Sequence, residues 1–213
     1  MIHDISPPLS ERIAVWPGDV PFQRSITCAQ ADGANLDLSS ITSTVHLGAH
    51  ADAPSHYVPD GLGIAARRLE PYLGLCEVME VSVQRGERLD VHHLPHPPRA
   101  PRVLFRTGTF PDPESFNEDF AALSPALIDH LAQRDVCLVG LDTPSVDLCH
   151  DRDLITHHAI AAHDLSILEG VVLDQVAPGL YHLVAPPLRI EGADASPVRA
   201  LLLTLDDATF CQP

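Results

Sequence analysis

Apolar positions in this chain fall into short runs cut by proline and glycine, and most of the runs predict strands. Residues 1–6 predict a first strand, stopped by Pro7-Pro8. Val15-Trp16-Pro17-Gly18-Asp19 predicts a turn, with Pro and Gly supplying its geometry. Strands are expected over 22–27 and 36–45, the second leading into the segment 46–56. Residues 65–69 suggest a short helix. Residues 76–83 and 102–107 suggest strands, the latter ended by Gly108. The segment 110–120 reads as a surface loop, rich enough in aromatics to cover a pocket or simply to pack on itself. Ser124-Pro125 opens a helix running to about Arg134, with Ser as N-cap and Pro at the first helical position. The run 136–141 then looks like a buried strand, and a helix followed by such a strand is an α/β signal. Asp142-Thr143-Pro144-Ser145 leaves that strand as a binding loop or a plain turn. Thr156 is placed to cap a helix over 157–163. The last two strands are expected over 181–190 and 198–205, with Ala185-Pro186-Pro187 interrupting the first or fixing an edge. The pattern predicts an α/β protein with a mixed β-sheet core flanked by helices.

Length and composition narrow the class. At 213 residues the chain suits a single domain spanning 1–213. A formal charge of −16 argues against a phosphate-binding surface, so no nucleic-acid partner is expected. The five cysteines (Cys28, Cys76, Cys137, Cys149 and Cys211) are odd in number and form no Cys-x-x-Cys pair. They are expected to be buried free thiols of a reducing, cytoplasmic compartment. The start lacks the basic and apolar regions of a signal peptide, and no run of about 18 apolar residues predicts a membrane span.

The candidate chemistry concentrates in His46-Leu47-Gly48-Ala49-His50-Ala51-Asp52-Ala53-Pro54-Ser55-His56. Three histidines and a carboxylate within eleven residues offer N and O ligands that suit zinc or manganese. A fully extended strand would hold His46 and His50 roughly 13 Å apart, at about 3.3 Å per residue. Two nitrogens on one zinc lie only about 3–4 Å apart. A helix would pair His46 with His50 but turn Asp52 away, and Gly48 and Pro54 oppose it. The expected path is a strand ending near Gly48, which permits a bend, then a turned loop stiffened by Pro54. His56 is either a further ligand or a base held near the metal. Glu169, inside the apolar run Ile167-Leu168-Glu169-Gly170-Val171, is a candidate ligand or an exposed turn residue.

The segment 43–57 closely resembles the signature of the metal-dependent cyclase family. Its Gly-Ala-His-Ala-Asp-Ala-Pro core is most similar to the bacterial kynurenine formamidase (arylformamidase) branch. The resemblance implies a swivelling β/β/α fold with the site at the sheet's edge, a homodimer, and two divalent metal ions per subunit, Zn2+ or Mn2+. It implies that His46, His50 and Asp52 bind the first metal and His157 the second, with Asp52 and Glu169 reaching both. His157 follows from a histidine twelve positions before the family's glutamate; His158 and His163 stand nearby as competitors. His56 is implied to be the acid/base, and Trp16, in its Trp-Pro-Gly-Asp turn, to pack on the substrate's aryl ring. The implied reaction is hydrolysis of N-formyl-L-kynurenine to L-kynurenine and formate by a metal-activated hydroxide, a step of tryptophan breakdown. Rival expectations are an isatin hydrolase of the same family and a metal-binding protein without catalysis. No Gly-x-Ser-x-Gly elbow is present, which argues against a serine nucleophile.

Overall fold

A computed structural model describes residues 1–205. In chain order the elements are β1 (Ile2–Asp4), β2 (Gln23–Cys28), β3 (Leu38–Thr42), β4 (His50–Asp52), β5 (Leu73–Glu80), β6 (Arg88–Leu89) and β7 (Arg102–Arg106). They continue with β8 (Ala122–Leu123), α1 (Pro125–Ala132), β9 (Leu138–Leu141), α2 (Ile155–Ala162), β10 (Ser166–Leu168), β11 (Gly179–Val184), β12 (Ala195–Pro197) and β13 (Leu201–Thr204). Seven strands form one mixed sheet in the order β1-β13-β11-β5-β7-β9-β10. The half β5-β7-β9-β10 is parallel and the half β1-β13-β11 antiparallel, with β11 and β5 also antiparallel at the junction. This is the expected α/β class with a mixed sheet.

The strand period divides the core between the two faces of the sheet. On β7, Val103 and Phe105 join a cluster with Leu127, Ile128 and Leu131 of α1 and Ile160 of α2. Leu104, between them, points to the opposite cluster, as do Leu138 of β9 and Leu168 of β10. The helices therefore cover one face. The other face is covered in part by the histidine-rich segment, whose Ala49, Ala51 and Ala53 are all buried in that second cluster. Odd positions of the segment thus supply core, which leaves the even positions His50 and Asp52 to face the other way.

Several boundaries differ from expectation. The second early strand spans only Leu38–Thr42, so residues 43–49 are irregular and it does not carry His46 directly. His50–Asp52 is a strand rather than a turned loop, because it pairs antiparallel with β12, a partner 145 residues away that local pattern cannot reveal. The helix expected from 157 begins at Ile155, and Thr156 lies within it. Its first N–H groups are met by the carboxylate of Asp147, which accepts from Thr156 (3.0 Å) and His157 (3.0 Å). The helix at Pro125 is capped as expected, with Ser124 Oγ accepting from Leu127 N–H at 3.0 Å. The final region holds three strands, not two: β11 ends before Ala185-Pro186-Pro187, and β12 and β13 follow. Among the described cysteines all four are free, but only Cys76 is fully buried; Cys211 lies outside the described residues. No helix among the described residues is long and apolar enough to cross a membrane.

Candidate active site

The parallel half of the sheet builds the site at the carboxyl ends of its strands, where open α/β sheets commonly bind ligands. Glu169 follows the last residue of β10. The backbones of Glu169 and His50 exchange two hydrogen bonds, His50 N–H to Glu169 O at 3.0 Å and Glu169 N–H to His50 O at 2.9 Å. This bridge brings the histidine-rich segment against the sheet. Gly170 makes the approach close: its φ is +65°, and an added Cβ would lie 2.2 Å from the carbonyl oxygen of Gly48. Gly48 supplies the expected bend, with φ +55°.

Around this bridge the side chains of His46, His50, Asp52, His157 and Glu169 converge. His50 Nε2 lies 3.1 Å from Glu169 Oε2 and 3.5 Å from Asp52 Oδ1. His46 Nδ1 is 3.0 Å from Asp52 Oδ1. His157 Nε2 is 3.5 Å from Asp52 Oδ2 and 3.9 Å from Glu169 Oε1. His50, Asp52, His157 and Glu169 are each at most 3% exposed. His158 is exposed, and His163 pairs with Asp129 at 2.7 Å, so His157 alone of the three histidines faces this cluster.

Each converging histidine is held from behind through its other nitrogen. His50 Nδ1 lies 2.9 Å from the carbonyl oxygen of Gly48, which can only accept, so Nδ1 carries the proton. His157 Nδ1 lies 2.8 Å from Asp147 Oδ2, and Asp147 is itself tied to Arg88 at 2.8 Å. His46 Nε2 lies 3.0 Å from Asp194 Oδ2. One nitrogen of each ring is thereby left to the cluster, the arrangement by which outer partners fix metal-binding imidazoles.

The electrostatics are those of a site crowded with carboxylates. Burial alone would lower the pKa of His46, but the negative charge of the Asp52 and Asp194 carboxylates beside it outweighs this and raises the value to about 9. Burial likewise opposes protonation of His157, and Asp147 and Asp52 overcome it, raising the value to about 10. Burial should push Asp52 up; the neighbouring His157 and His46 instead hold it well below the usual carboxylate range. Among the described residues, both carboxylate oxygens of Asp52 and Nε2 of His157 are buried without a hydrogen-bond partner. Such atoms are costly to leave unsatisfied. The chemistry of this donor set, imidazole and carboxylate, fits a divalent cation. Two overlapping groups of donors lie within 4.8 Å of one another, His50-Asp52-Glu169 and His46-Asp52-His56.

The cluster forms one wall of a cavity of about 1070 Å³. His56 lies on the same wall, with its ring centroid 4.2 Å from that of His46 and its Nδ1 3.4 Å from Asp194 Oδ2. Trp16 also lines the cavity, edge-on to Phe116 at 5.5 Å and Phe120 at 6.1 Å. The loop over 110–120 therefore does contribute to a pocket: Phe110 and Phe116 line it, while Phe120 is buried beneath them. The loop after β9 lines it as well. Asp142 there accepts hydrogen bonds from Thr107 and Gly108 N–H (2.9 and 2.8 Å) and so fixes the loop after β7.

Sequence reasoning missed Asp147 and Asp194. Asp147 had one available signal, since it lies ten residues before His157 and directly after the Asp142–Ser145 loop. Asp194 had none, because it sits in an irregular stretch 138 residues from His56 and reaches the site only through the pairing of β12 with β4.

Comparisons with known proteins place the chain among relatives of the same fold. The Cyclase family model matches residues 3–148. The kynurenine formamidases of Bordetella petrii and Bordetella pertussis are each 43% identical over 206 residues, covering 96% of this chain and 98% of theirs. Among solved structures, a predicted metal-dependent hydrolase from Bacillus stearothermophilus superposes with a TM-score of 0.79 at 26% identity, covering 95% of this chain and 97% of that one. Isatin hydrolase A from Labrenzia aggregata shares the fold, with a TM-score of 0.77 at 22% identity, covering 96% of this chain and 93% of that one.

Proposed function

Because the chain belongs to the Cyclase family, we propose that it is a metal-dependent arylformamidase that hydrolyses N-formyl-L-kynurenine to L-kynurenine and formate. The observation that carries this proposal is the convergence of three histidines and two carboxylates, with orphaned buried atoms, on a cavity walled by Trp16. The near full-length identity to kynurenine formamidases supports the substrate.

His46, His50 and Asp52 would hold one divalent cation and His157 a second, with Asp52 and Glu169 reaching both; zinc suits these ligands first, manganese next. When bound, such cations lower the pKa of water towards about 7 and polarise a carbonyl. The protein's own groups do the rest. Trp16 and Phe116 offer an apolar face to the aryl ring, which aims the formamide at the cluster. His56, partly exposed on the cavity wall, takes the proton from the attacking water. It then returns that proton to the arylamine nitrogen as the C–N bond breaks. Imidazole is the side chain whose two nitrogens can take and give a proton in turn, which suits both transfers. Asp194, 3.4 Å from His56 Nδ1, holds the ring so that its other nitrogen can serve the cavity.

Side-by-side assays of N-formyl-L-kynurenine and isatin test the proposal. Turnover of the formamide well above that of isatin is expected. The reverse preference would make the protein an isatin hydrolase, and turnover of neither would leave a metal-binding protein without this chemistry. Trp16→Ala is expected to raise KM for the formamide about 3- to 10-fold with little change in kcat, as loss of one aromatic contact of about 0.5–1.5 kcal/mol implies. Unchanged steady-state constants would reduce Trp16 to packing against Phe116.

A further inference from the structure

We infer that Arg106, with its partner Glu80, forms the subsite for the α-amino-acid end of the substrate; this rests on the arylformamidase reading above. The cavity is lined by six carboxylates (Asp19, Asp52, Glu80, Asp142, Glu169 and Asp174) and, among the described residues, by one arginine, Arg106. The chain has no lysine, and its charge of −16 makes a guanidinium in this cavity a marked feature. Away from the metal-binding cluster, a substrate carboxylate entering that cavity would meet a complementary charge only at this arginine.

Arg106 is the last residue of β7, at the same carboxyl-end level of the sheet as the metal-binding cluster. Its register partner on the neighbouring parallel strand is Glu80, the last residue of β5. The guanidinium is fixed at two points. Nη1 donates to the carbonyl of Val176 at 2.8 Å, and Nη2 pairs with Glu80 Oε2 at 2.5 Å. A guanidinium has five N–H donors. Among the described residues two of them are used. The Arg106 side chain is 19% exposed and that of Glu80 61%, so the pair is anchored at its base and open at its tip.

An α-amino acid is a zwitterion, with ammonium and carboxylate on one carbon. The Arg106–Glu80 pair presents the complementary charges side by side, held by strand register. Arg106 receives the carboxylate through its planar fork, and Glu80 turns from Arg106 to accept from the ammonium. Asp142 supports the arrangement by pinning Thr107 and Gly108, the two residues that follow Arg106. This division of labour separates the two tasks of the cavity. Trp16 and the metal-binding cluster handle the aryl formamide, and the arginine selects molecules that carry an amino-acid tail.

The test compares N-formyl-L-kynurenine with N-formyl-2-aminoacetophenone, which keeps the ring, ketone and formamide but lacks the amino-acid end. The unmutated enzyme should favour the first by about 30-fold or more in kcat/KM. R106M should lose about 30- to 100-fold on the first substrate and less than about threefold on the second. A parallel loss on both substrates, or no loss on the first, would overturn the assignment. The unmutated enzyme decides the matter even if R106M does not fold. If it treats both formamides alike, the subsite falls while the arylformamidase reading stands. If it hydrolyses neither, that reading falls and the subsite with it.

Discussion

His56→Ala should abolish nearly all turnover, by about 10²- to 10⁴-fold in kcat, while metal content stays at the level of the unmutated protein. The magnitude follows from the role: without His56 the reaction lacks a group both to accept the proton of water and to protonate a poor arylamine leaving group. Retention of metal follows from the geometry. His46, His50, Asp52, His157 and Glu169 remain, and each of the three histidines keeps its outer support from Asp194, Gly48 or Asp147. His56 differs from them in being half-open to the cavity, with 34% of its side chain exposed. It nonetheless sits in donor range of His46 and Asp52. Metal analysis by mass spectrometry on the purified variant therefore separates the two roles. A variant that has lost a metal equivalent would make His56 a ligand instead of the acid/base.

Glu169→Ala should lower metal occupancy and reduce activity by more than about 10²-fold. Glu169 is the residue at which the sheet meets the histidine-rich segment. Oε2 faces His50 Nε2 at 3.1 Å, and Oε1 accepts from Val146 N–H at 2.7 Å. Removing it would leave Asp52 as the one carboxylate to serve both of the proposed cations. The fold should survive, because the backbone exchange between residues 50 and 169 does not involve the side chain. A circular dichroism spectrum like that of the parent, together with depleted metal, is the expected pair of results. Full activity in this variant would remove Glu169 from the site.

Legibility of this protein from its sequence followed the range of the interactions involved. The helix at Pro125 was readable because its signals, Ser124 and Pro125, are adjacent. So was the bend at Gly48, since the metal-ligand argument needed one between His46 and His50. The strand at His50–Asp52 was not, because three residues paired to a segment 145 positions later carry no local pattern. The alternation of Ala49, Ala51 and Ala53 with His50 and Asp52 did hold the right period, yet Gly48 and Pro54 obscured it. Candidate ligands are easier to read than the residues behind them. A histidine or carboxylate in an apolar run stands out, as Glu169 did, whereas Asp194 and Asp147 look like ordinary surface acids until the fold sets them behind His46, His56 and His157. Arg106 was hidden for the related reason that only the assembled cavity shows how few cations line it.

The proposed hydrolysis needs a pair of divalent cations, with Asp52 and Glu169 serving both. The measurement that tests this most directly is a titration of chelator-stripped protein with zinc, following both bound metal and hydrolysis of N-formyl-L-kynurenine by absorbance. The expected result is no turnover in the stripped protein and a rate that climbs to its plateau as the second metal equivalent per chain binds. A stripped, metal-free protein that hydrolyses the substrate at the full rate would contradict it.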